Sequence, residues 1–589
     1  MNEKTKASEV IEISWEVCNK VGGIYSVLMS KAKLMTQKYN NYTLIGPYFK
    51  HKANVEFEEK QIPKQYKKAF KKTEKLGIKL HYGTWLIQGE PNVILIDFQN
   101  YKPNLDEIKH DLWKQYNIDS LHAGSDFNNP VRFCEATATL IKNLKNKLNK
   151  NTVIHAHEWM SGFTILRLPK TYSTVFTTHA TMLGRTYSAR KRYLYENLQN
   201  INPEEEAKQL GITEKHLTEK ACAHNATTFT TVSKTTGKEA TKLLGKKPDV
   251  LVLNGVDSKN FPSIENTSIM HVDNRKVLRE FQAYHFYPYY TFNLKNNLAY
   301  IFAGRYEYEN KGLDIYVKAL QKLNQYLKKQ DNDRTITAFF FLAIQNKGVK
   351  KEILQNKNSY RHIKHYVERQ SKTIQEDIIN EFIEKGKDFN KHVFKKEFVQ
   401  GLKKDVLTFK QEGQPPLNTH HMYNEETDPL LHALKKANLT NKREDKVKIV
   451  VYPQYLDGND GLLNRDYFET LSAGHLGVFP SYYEPWGYTP LESAALGVPS
   501  VTTDLAGFGK FIEKETKKPP IGIHVVQREG KKEQEQINNL FSVLKEVSQT
   551  DHSERVQKKL RAKQLSQLAD WQHLINNYVK AHNHAINKK

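Results

Sequence analysis

Short β-rich runs alternate with helical stretches along almost the whole chain, and this alternation restricts the possible folds more than any other feature. It is typical of parallel sheets that are covered by helices. Two series of runs occur, and we therefore predict an α/β protein with two doubly wound halves. The first series is YTLIG (42–46), VILIDF (93–98), VIHAH (153–157), STVFTTH (173–179), TTFTTVS (227–233) and DVLVLNG (249–255). The second is NLAYIFAGR (297–305), ITAFFFLAI (336–344), KVKIVVYPQ (446–454), HLGVFPS (475–481), VPSVTTD (498–504) and IGIHVV (521–526).

The two series imply at least two domains, because 589 residues exceed what one hydrophobic core usually organises. Residues 257–296 mix turn formers with aromatic residues, and we expect the crossing between the domains there.

A long stretch between the second and third strands of the second series departs from the alternation. Within it, apolar residues fall four and seven positions apart, which predicts an amphipathic helix. Its apolar face either packs on its own domain or forms a contact between subunits. The apolar positions are Ile363, Val367, Ile374, Ile378 and Phe382.

The formal net charge of +24 raises the question of a polyanionic partner. The lysines are dispersed, and no arginine-rich tail, zinc-finger spacing or basic region followed by heptads accompanies them. A lysine-rich, solvated surface explains this pattern, so we expect no nucleic-acid partner.

Other features favour a cytoplasmic protein without a membrane partner. The most apolar segment, AFFFLAI at 338–344, is far shorter than a membrane span. Cys18, Cys134 and Cys222 lack CxxC spacing, which fits a reducing compartment and argues against a thiolate zinc site. The Asp-x-Asp at 331–333 lies in a polar run that is typical of a solvated loop, so we expect no metal and no cofactor.

Polar residues and glycines stand where predicted strands end and helices begin, which is where doubly wound sheets bind ligands. The sequence KVGG at 20–23 precedes a helix-like run, so its glycines either form a plain turn or let backbone amides approach a phosphate or sugar. His157 and His179 each end a strand, as structural residues or as members of a site.

The second half offers a possible anion site. Arg305 closes a strand and Lys311 follows six residues later. An arginine grips phosphate oxygens in a fork and a lysine supplies a mobile charge, so the two suit a diphosphate; a surface pair is the alternative.

The stretch YYEPWGYTPLE at 482–492 places Glu484 and Glu492 eight positions apart with aromatic, Gly and Pro residues between them. Together with the strand-end residues it closely resembles the glycogen synthases, in particular the eukaryotic-type branch, over roughly residues 10–580. The segments that carry the resemblance are EISWEVCNKVGGIYSVLMSKA, HAHEWMSG, FTTHATMLGR, FTTVSKTTGKEATKLLGKKPDVLVLNGVD, FAGRYEYENKG, HLGVFPSYYEPWGYTPLESAALGVPSVTTDLAGFG and LSQLADW.

The resemblance implies a GT-B glycosyltransferase, with two Rossmann-like domains facing a catalytic cleft and a helical insertion in the second. It places an acceptor-side domain at 1–265, joined by a helix at 555–589 that crosses back. The donor-side domain would be 275–554, including the insertion at about 350–440. The implied activity is transfer of glucose from UDP-glucose to the non-reducing end of an α-1,4-glucan such as glycogen, with retention of configuration.

The resemblance also assigns roles to side chains. Glu484 would lie beside the donor sugar, Glu492 would hold the ribose, and Tyr467 would stack the uracil base. The catalytic set that it implies is Glu484, Arg305, Lys311 and His157. The remaining donor-binding residues are Lys20, Gly22, Gly23, Trp486, Gly487, Tyr488 and Thr489, and the acceptor or sugar side would comprise Arg185, His179 and Asn254.

The expected chemistry is stabilisation of negative charge on the departing diphosphate by Arg305 and Lys311. A glycosidase-like double displacement would need a second carboxylate on the opposite face of the sugar, and the sequence offers no clear candidate. We therefore expect front-face attack, in which a leaving phosphate oxygen takes the acceptor proton.

Assembly and control follow from the same resemblance. The amphipathic segment lies where eukaryotic-type relatives carry tetramer-forming helices, which predicts a homotetramer. The basic helix that senses glucose 6-phosphate in those relatives corresponds to a segment that includes Lys558, Lys559 and Arg561. Most of its arginines are lysines here, and because lysine lacks the bidentate fork, we expect weak or absent activation.

Two other functions compete with this interpretation. One is a different retaining GT-B glycosyltransferase with another acceptor or with ADP-glucose as donor. The other is a catalytically silent protein that binds glycans or nucleic acid, for which intact Glu484, Arg305 and Lys311 would be an unexplained coincidence.

Overall fold

The computed structural model describes residues 3–145, 148–190, 192–385, 396–516 and 521–589. Within these residues a nine-stranded sheet organises the first half, in the order β3-β4-β5-β2-β1-β6-β7-β8-β9. Its pairs are parallel except β3 with β4 and β4 with β5. The strands are β1 Glu9–Ile13, β2 Asn41–Pro47, β3 Phe57–Glu59, β4 Lys79–Trp85, β5 Asn92–Asp97, β6 Thr152–His157, β7 Ser173–Thr178, β8 Thr228–Thr231 and β9 Val250–Leu251.

A six-stranded, all-parallel sheet organises the second half, in the order β14-β11-β10-β15-β16-β17. A separate antiparallel pair, β12 with β13, flanks it. The strands are β10 Asn297–Arg305, β11 Thr335–Ala343, β12 Asn346–Val349, β13 His420–Met422, β14 Val447–Tyr452, β15 Leu476–Val478, β16 Ser500–Thr503 and β17 Ile523–Val526. These two sheets confirm the predicted α/β architecture.

Helices cover both sheets, as expected where parallel strands need crossover connections. In the first half they are α1 Gly23–Lys38, α2 Lys50–Glu56, α3 Lys67–Glu74, α4 Leu105–Tyr116, α5 Ser125–Leu144, α6 Trp159–Leu166, α7 Met182–Ala189, α8 Leu194–Asn197, α9 Pro203–Gln209, α10 Thr213–Asn225 and α11 Lys234–Leu243. The others are α12 Ile264–Phe286, α13 Leu313–Lys328, α14 Lys351–Lys385, α15 Lys396–Phe409, α16 Pro429–Lys436, α17 Tyr467–Ser472, α18 Tyr488–Ala495, α19 Gly507–Glu515, α20 Glu533–Gln549, α21 His552–Ser566 and α22 Trp571–Asn587.

Several elements differ from the sequence interpretation, because the predicted runs omit β1, β3, β4, β12 and β13. Strand β1 lies in the middle of the first sheet but carries Glu9 and Glu12, both buried, so its composition does not resemble a central strand. The segment 257–296, interpreted as a crossing, contains the 23-residue helix α12. Ser263 caps its first turn by accepting from the N–H of Asn266, and the polar residues that indicated turns lie along that helix.

The long amphipathic helix in the insertion is present as α14, which packs against α12 and α15. Part of its predicted apolar face stays open to solvent: Val367, Ile378 and Phe382 are 38%, 37% and 58% exposed.

The last helix, α22, returns to the first half of the chain, where it packs against α1, β7 and β8. Trp571 and Tyr578 of α22 share a buried apolar cluster with Trp486 and Leu491 of the second half. Among the described helices, none combines the length and the apolar character that crossing a bilayer requires.

Candidate active site

Segments that follow strands of the two sheets contact each other. Tyr482, from the loop after β15, accepts from the backbone N–H of Tyr195 (3.0 Å) and donates to Glu196 Oε2 (2.5 Å) in the first half. Tyr483 donates to Glu239 Oε2 at 3.2 Å. These contacts join the two halves directly beside Glu484.

Glu484 and Lys311 form an ion pair. Lys311 Nζ donates to Glu484 Oε2 at 2.6 Å, and both side chains are mostly shielded from solvent. Arg305 ends β10 in the same half, with a guanidinium that is 66% exposed and that lies 3.1 Å from Glu307 Oε1. An anion entering the cleft would therefore meet a lysine paired with Glu484 and an accessible arginine.

The loop between the two predicted glutamates is shaped by Gly487, whose φ of 114° favours glycine. Two backbone bonds brace the loop: Gly507 N–H donates to Glu484 O (3.1 Å) and Phe508 N–H to Trp486 O (2.8 Å). The indole ring of Trp486 is buried against Phe508 and Phe511, so any contact of Trp486 with a ligand is left to its backbone. Tyr488 and Thr489 follow in the first turn of α18 and are half-buried.

Glu492 and Tyr467 meet across α18 and α17. The Tyr467 hydroxyl donates to Glu492 Oε2 at 2.8 Å. Burial raises the pKa of Glu492 to about 7, against the lowering effects of that hydroxyl and of the Lys20 ammonium. Lys20 Nζ in turn donates to the Tyr455 hydroxyl at 3.1 Å. Tyr455, absent from the sequence prediction, thus places a second, 55% exposed aromatic ring beside the pair.

The glycine turn before α1 is held by Glu16, which sequence reasoning also missed. Glu16 Oε2 accepts from the backbone N–H groups of Gly22 and Tyr25, both at 2.8 Å. The amide of Gly22 is therefore already engaged. A Cβ added to Gly23 would meet nothing within 4 Å, so the backbone there borders open space.

Charges from both halves reach Glu16. Burial raises its pKa, and the positive charges of Arg185 and Arg305 oppose that rise. Arg185 lies on α7 and Arg305 at the end of β10, so cations from both halves of the chain act on the same carboxylate.

The two strand-end histidines are linked to each other. His157 Nδ1 lies 2.8 Å from His179 Nε2, and His157 Nε2 lies 2.5 Å from Glu12 Oε1. His157 is only 1% exposed and both of its ring nitrogens are engaged, whereas His179 is 7% exposed. In this conformation His157 reaches the cleft through His179 rather than directly.

Glu158, the residue after β6, fixes the backbone beside that pair. Its Oε1 accepts from the N–H groups of His179 (2.9 Å) and Ala180 (3.1 Å). Its own φ is 63°, an unusual value for a glutamate and of the kind that clusters at functional sites. Asn254, beyond β9, is buried, and among the described residues its Oδ1 has no hydrogen-bond partner.

The three residues predicted to sense a phosphate have different surroundings. Lys558 pairs with Glu546 at 2.5 Å and the exposed Arg561 contacts Gln564. Lys559 alone faces a group of cations, and burial together with the charges of Arg555 and Arg275 lowers its pKa to about 7.

Helix α12 contributes cations to this group that the sequence prediction missed. Burial, aided by the charge of Arg279, lowers the pKa of Arg275 to about 9. His271, on the same helix, has a pKa lowered to about 3 by burial and by Lys559.

Among the described residues, one group has the spacing to hold a metal ion: Glu12, His155 and His157. Both Glu12 oxygens already accept from Lys31 Nζ, at 2.7 and 2.6 Å. Because this ammonium occupies the carboxylate that a metal would need, the cluster is a closed polar network and does not fit a metal.

Known proteins with similar sequences or structures agree with this architecture. The family model described as glycogen synthase matches residues 12–589. The liver glycogen [starch] synthase of Homo sapiens is 34% identical over 585 residues, covering 97% of this chain and 82% of that protein. The glycogen [starch] synthase isoform 2 of Saccharomyces cerevisiae is 33% identical over 610 residues, covering 98% and 86%. The catalytic domain of starch synthase IV from Arabidopsis thaliana, solved with ADP and acarbose, is 12% identical with a TM-score of 0.53, covering 99% of this chain and all of that one, and shows the same fold.

Proposed function

Because the chain belongs to the glycogen synthase family, a family of glycosyltransferases, we propose that it transfers glucose from UDP-glucose to the non-reducing 4-hydroxyl of an α-1,4-glucan such as glycogen, with retention of configuration. The observation that carries this proposal is that the second half of the chain holds the Lys311–Glu484 pair, the Tyr467–Glu492 pair and the exposed Arg305 at the end of β10.

The leaving diphosphate is held by the second half of the chain. Arg305 offers an accessible guanidinium and Lys311 an ammonium whose position is fixed by Glu484. Cations placed before the reaction stabilise the charge that develops on the leaving group without reorganising in the transition state. Glu484 holds Lys311 and lies beside the donor sugar.

The sugar is bordered by the first half. His179 is the strand-end histidine with remaining exposure, so we assign it the direct contact with a sugar hydroxyl and give His157 a supporting role. Arg185 and Asn254 complete this side.

Front-face attack is supported by the state of the other carboxylates. A double displacement needs a free carboxylate on the opposite face of the sugar. Glu239 accepts from the hydroxyl groups of Thr181, Tyr195 and Tyr483. Glu16 and Glu158, at the same edge, each hold two backbone N–H groups with one oxygen. Both are therefore committed to fixing the backbone, and the departing phosphate oxygen takes the acceptor proton.

The nucleotide is bound by Tyr467, Glu492 and the neighbouring Lys20 and Tyr455. Aromatic rings suit the base, and an ionised carboxylate suits the ribose hydroxyls. Stacking acts on ground and transition states alike, so Tyr467→Ala is expected to raise the KM for the donor more than it lowers kcat.

The test is a comparison of initial rates with UDP-glucose and ADP-glucose, on glycogen and on small sugars. We expect a clear preference for UDP-glucose and for glycogen. Equal rates with both donors would remove the uracil assignment. Transfer to small sugars but not to glycogen would favour a different enzyme of the same fold.

Organisation, assembly and location form the rest of the proposal. Residues 1–265 with the segment 555–589, which holds most of α21 and all of α22, serve the acceptor side, and residues 275–554 serve the donor. The exposed Val367, Ile378 and Phe382 of α14 support a homotetramer built through this helix, because such an apolar face is commonly covered by a symmetry mate. The free, buried Cys18, Cys134 and Cys222 support a cytoplasmic enzyme.

A further inference from the structure

A continuous row of polar groups runs from the centre of the first sheet to the cleft. It begins at Glu12 on β1, passes through His157 at the end of β6 and ends at His179 after β7. Glu12 Oε1 lies 2.5 Å from His157 Nε2, and His157 Nδ1 lies 2.8 Å from His179 Nε2. His179 Nδ1 has no hydrogen-bond partner among the described residues. It is not buried, so solvent or a ligand can reach it. At the Glu12 end of the row the polar atoms are all engaged, whereas at the His179 end one ring nitrogen is free to bind a ligand.

The closed end carries a fixed negative charge. Glu12 and Lys31 are both fully buried, and Lys31 Nζ donates to both carboxylate oxygens. The Tyr42 hydroxyl donates to Oε2 at 2.5 Å. Burial raises the pKa of Glu12, but Lys31 and His157 outweigh burial and hold this pKa well below its usual range. Glu12 is therefore an ionised carboxylate, which accepts hydrogen bonds and donates none.

This charge decides where each histidine carries its proton. Facing a carboxylate, His157 Nε2 must be the protonated nitrogen. Burial lowers the pKa of both His157 and His179, so each ring is neutral and has one N–H. His157 Nδ1 is then an acceptor, His179 Nε2 must donate to it, and His179 Nδ1 is left as a bare lone pair.

The neighbouring histidines do not form a second hydrogen-bonded route from Glu12. His155 stacks on His157 with ring centroids 4.3 Å apart, but its own nitrogens bond to His582 (3.1 Å) and Thr177 (2.7 Å). His155 Nδ1 is 3.7 Å from Glu12 Oε1, beyond hydrogen-bond range. The stack restrains the orientation of the His157 ring but does not change which of its nitrogens carries the proton.

We propose that Glu12 is a positioning residue that fixes the tautomers of His157 and His179, so that His179 presents an unprotonated Nδ1 to the cleft as a hydrogen-bond acceptor for a substrate hydroxyl. The opposite tautomers would offer an N–H there instead. A buried carboxylate that sets the tautomer of a working histidine is a known device in enzymes, and a wrong tautomer is costly. This inference goes beyond the proposed function and rests on it only for its kinetic test.

The direct experiment is ¹⁵N NMR of the full-length protein labelled at histidine, at neutral pH and without substrate. Signals are assigned by their loss in His157→Phe and His179→Ala. We expect both rings as the neutral Nε2–H tautomer. An Nδ1–H tautomer or an imidazolium at either ring would overturn the proposal, whatever the enzyme's substrate.

A kinetic experiment separates positioning from folding. Removing Glu12 alone would leave the Lys31 ammonium buried without a partner, so the double variant Glu12→Gln with Lys31→Met is used. We expect kcat/KM to fall by at least about tenfold. In a His179→Ala background, the same double change should cost less than about twofold, because residues that act through one another are not additive. If the double change lowered kcat/KM by the same factor in the His179→Ala background as in the wild type, the proposal would be overturned.

A matched control exists on the same strand. Glu9 is also a buried glutamate of β1, but it bonds to Asn41 (2.6 Å) and Thr152 (2.7 Å) and has no contact with the histidines. Glu9→Gln should leave both tautomers and kcat/KM unchanged. A protein that transfers nothing from UDP-glucose would defeat the proposed function, and the NMR result would still decide the inference.

Discussion

The two edges of the cleft are built on different principles. On the first-half edge, the histidines are neutral and buried, and a network of hydrogen bonds that begins at Glu12 and Lys31 holds them in place. On the second-half edge, Arg305 remains exposed, and Lys311 and Glu484 carry partly accessible charges. A neutral, rigid edge suits orientation of sugar hydroxyls, whereas a charged edge suits a diphosphate that gains negative charge as it leaves.

The largest expected effect comes from breaking the charged edge. Glu484→Ala, Arg305→Ala and Lys311→Ala should each lower kcat by about 10²–10³-fold, because these groups act on charge that develops in the transition state. Steady-state kinetics on variants with unchanged melting temperature checks this.

The matched control is Lys318→Ala, which removes a lysine paired with Glu533 on the solvated surface of α13. This change should leave kcat unaltered. If a folded variant at Arg305, Lys311 or Glu484 kept near wild-type turnover, its assigned role would be wrong.

A pH effect on donor binding should be smaller and should distinguish the nucleotide end of the charged edge. Because burial raises the pKa of Glu492 to about 7, the carboxyl is protonated below that pH and would lose the charge-assisted bonds that we propose it makes to ribose. The KM for UDP-glucose should therefore rise as pH falls, by up to about tenfold per pH unit below 7. Glu492→Gln should bind more weakly with a flat profile; a flat wild-type profile between pH 6 and 8 would refute this.

Breaking the contact between the two edges should lower kcat/KM moderately. Tyr483→Phe removes the bond to Glu239, whose pKa burial raises to about 7, and so loosens the junction next to Glu484. We expect kcat/KM to fall by about three- to tenfold, as for loss of one net hydrogen bond. Tyr300→Phe, which loses a bond to Leu544 O within the second half, is the control and should spare kcat/KM. Equal losses in both variants would indicate general destabilisation.

The smallest effect concerns the cations around Lys559. Glucose 6-phosphate should change the rate less than severalfold, because most of the basic side chains on α21 are lysines. It should still raise the melting temperature slightly by relieving repulsion among Lys559, Arg555 and Arg275, and Lys559→Met should remove that rise. The rise should weaken above pH 7, where Lys559 loses its proton. Strong activation at low effector concentration would contradict this.

The sequence allowed the charged edge to be predicted better than the neutral one. Glu484, Glu492 and their loop form one continuous motif, and Arg305 and Lys311 share another. The neutral edge depends on pairs far apart in sequence, such as Glu12 with His157. Two glutamates in the EVIEI run concealed β1, because acidic residues in a central strand are buried only where partners from other elements neutralise or bond them.

Six strands of the first sheet and all six of the second followed from their apolar runs, whereas helix α12 did not. Taken alone, its Asn, Asp and Ser residues indicate turns. The segment is helical because Leu278 and Phe281 pack against the second sheet. Local propensity was overridden there by tertiary contacts.

The central claim is that the two edges together transfer glucose, with retention, to a non-reducing glucan end. The most direct measurement is ¹³C NMR of the product formed from UDP-glucose labelled at the anomeric carbon and a maltooligosaccharide acceptor. The account predicts a labelled α-1,4 linkage at the non-reducing terminus together with release of UDP. A β linkage, label at another position, or release of UDP without transfer would contradict it.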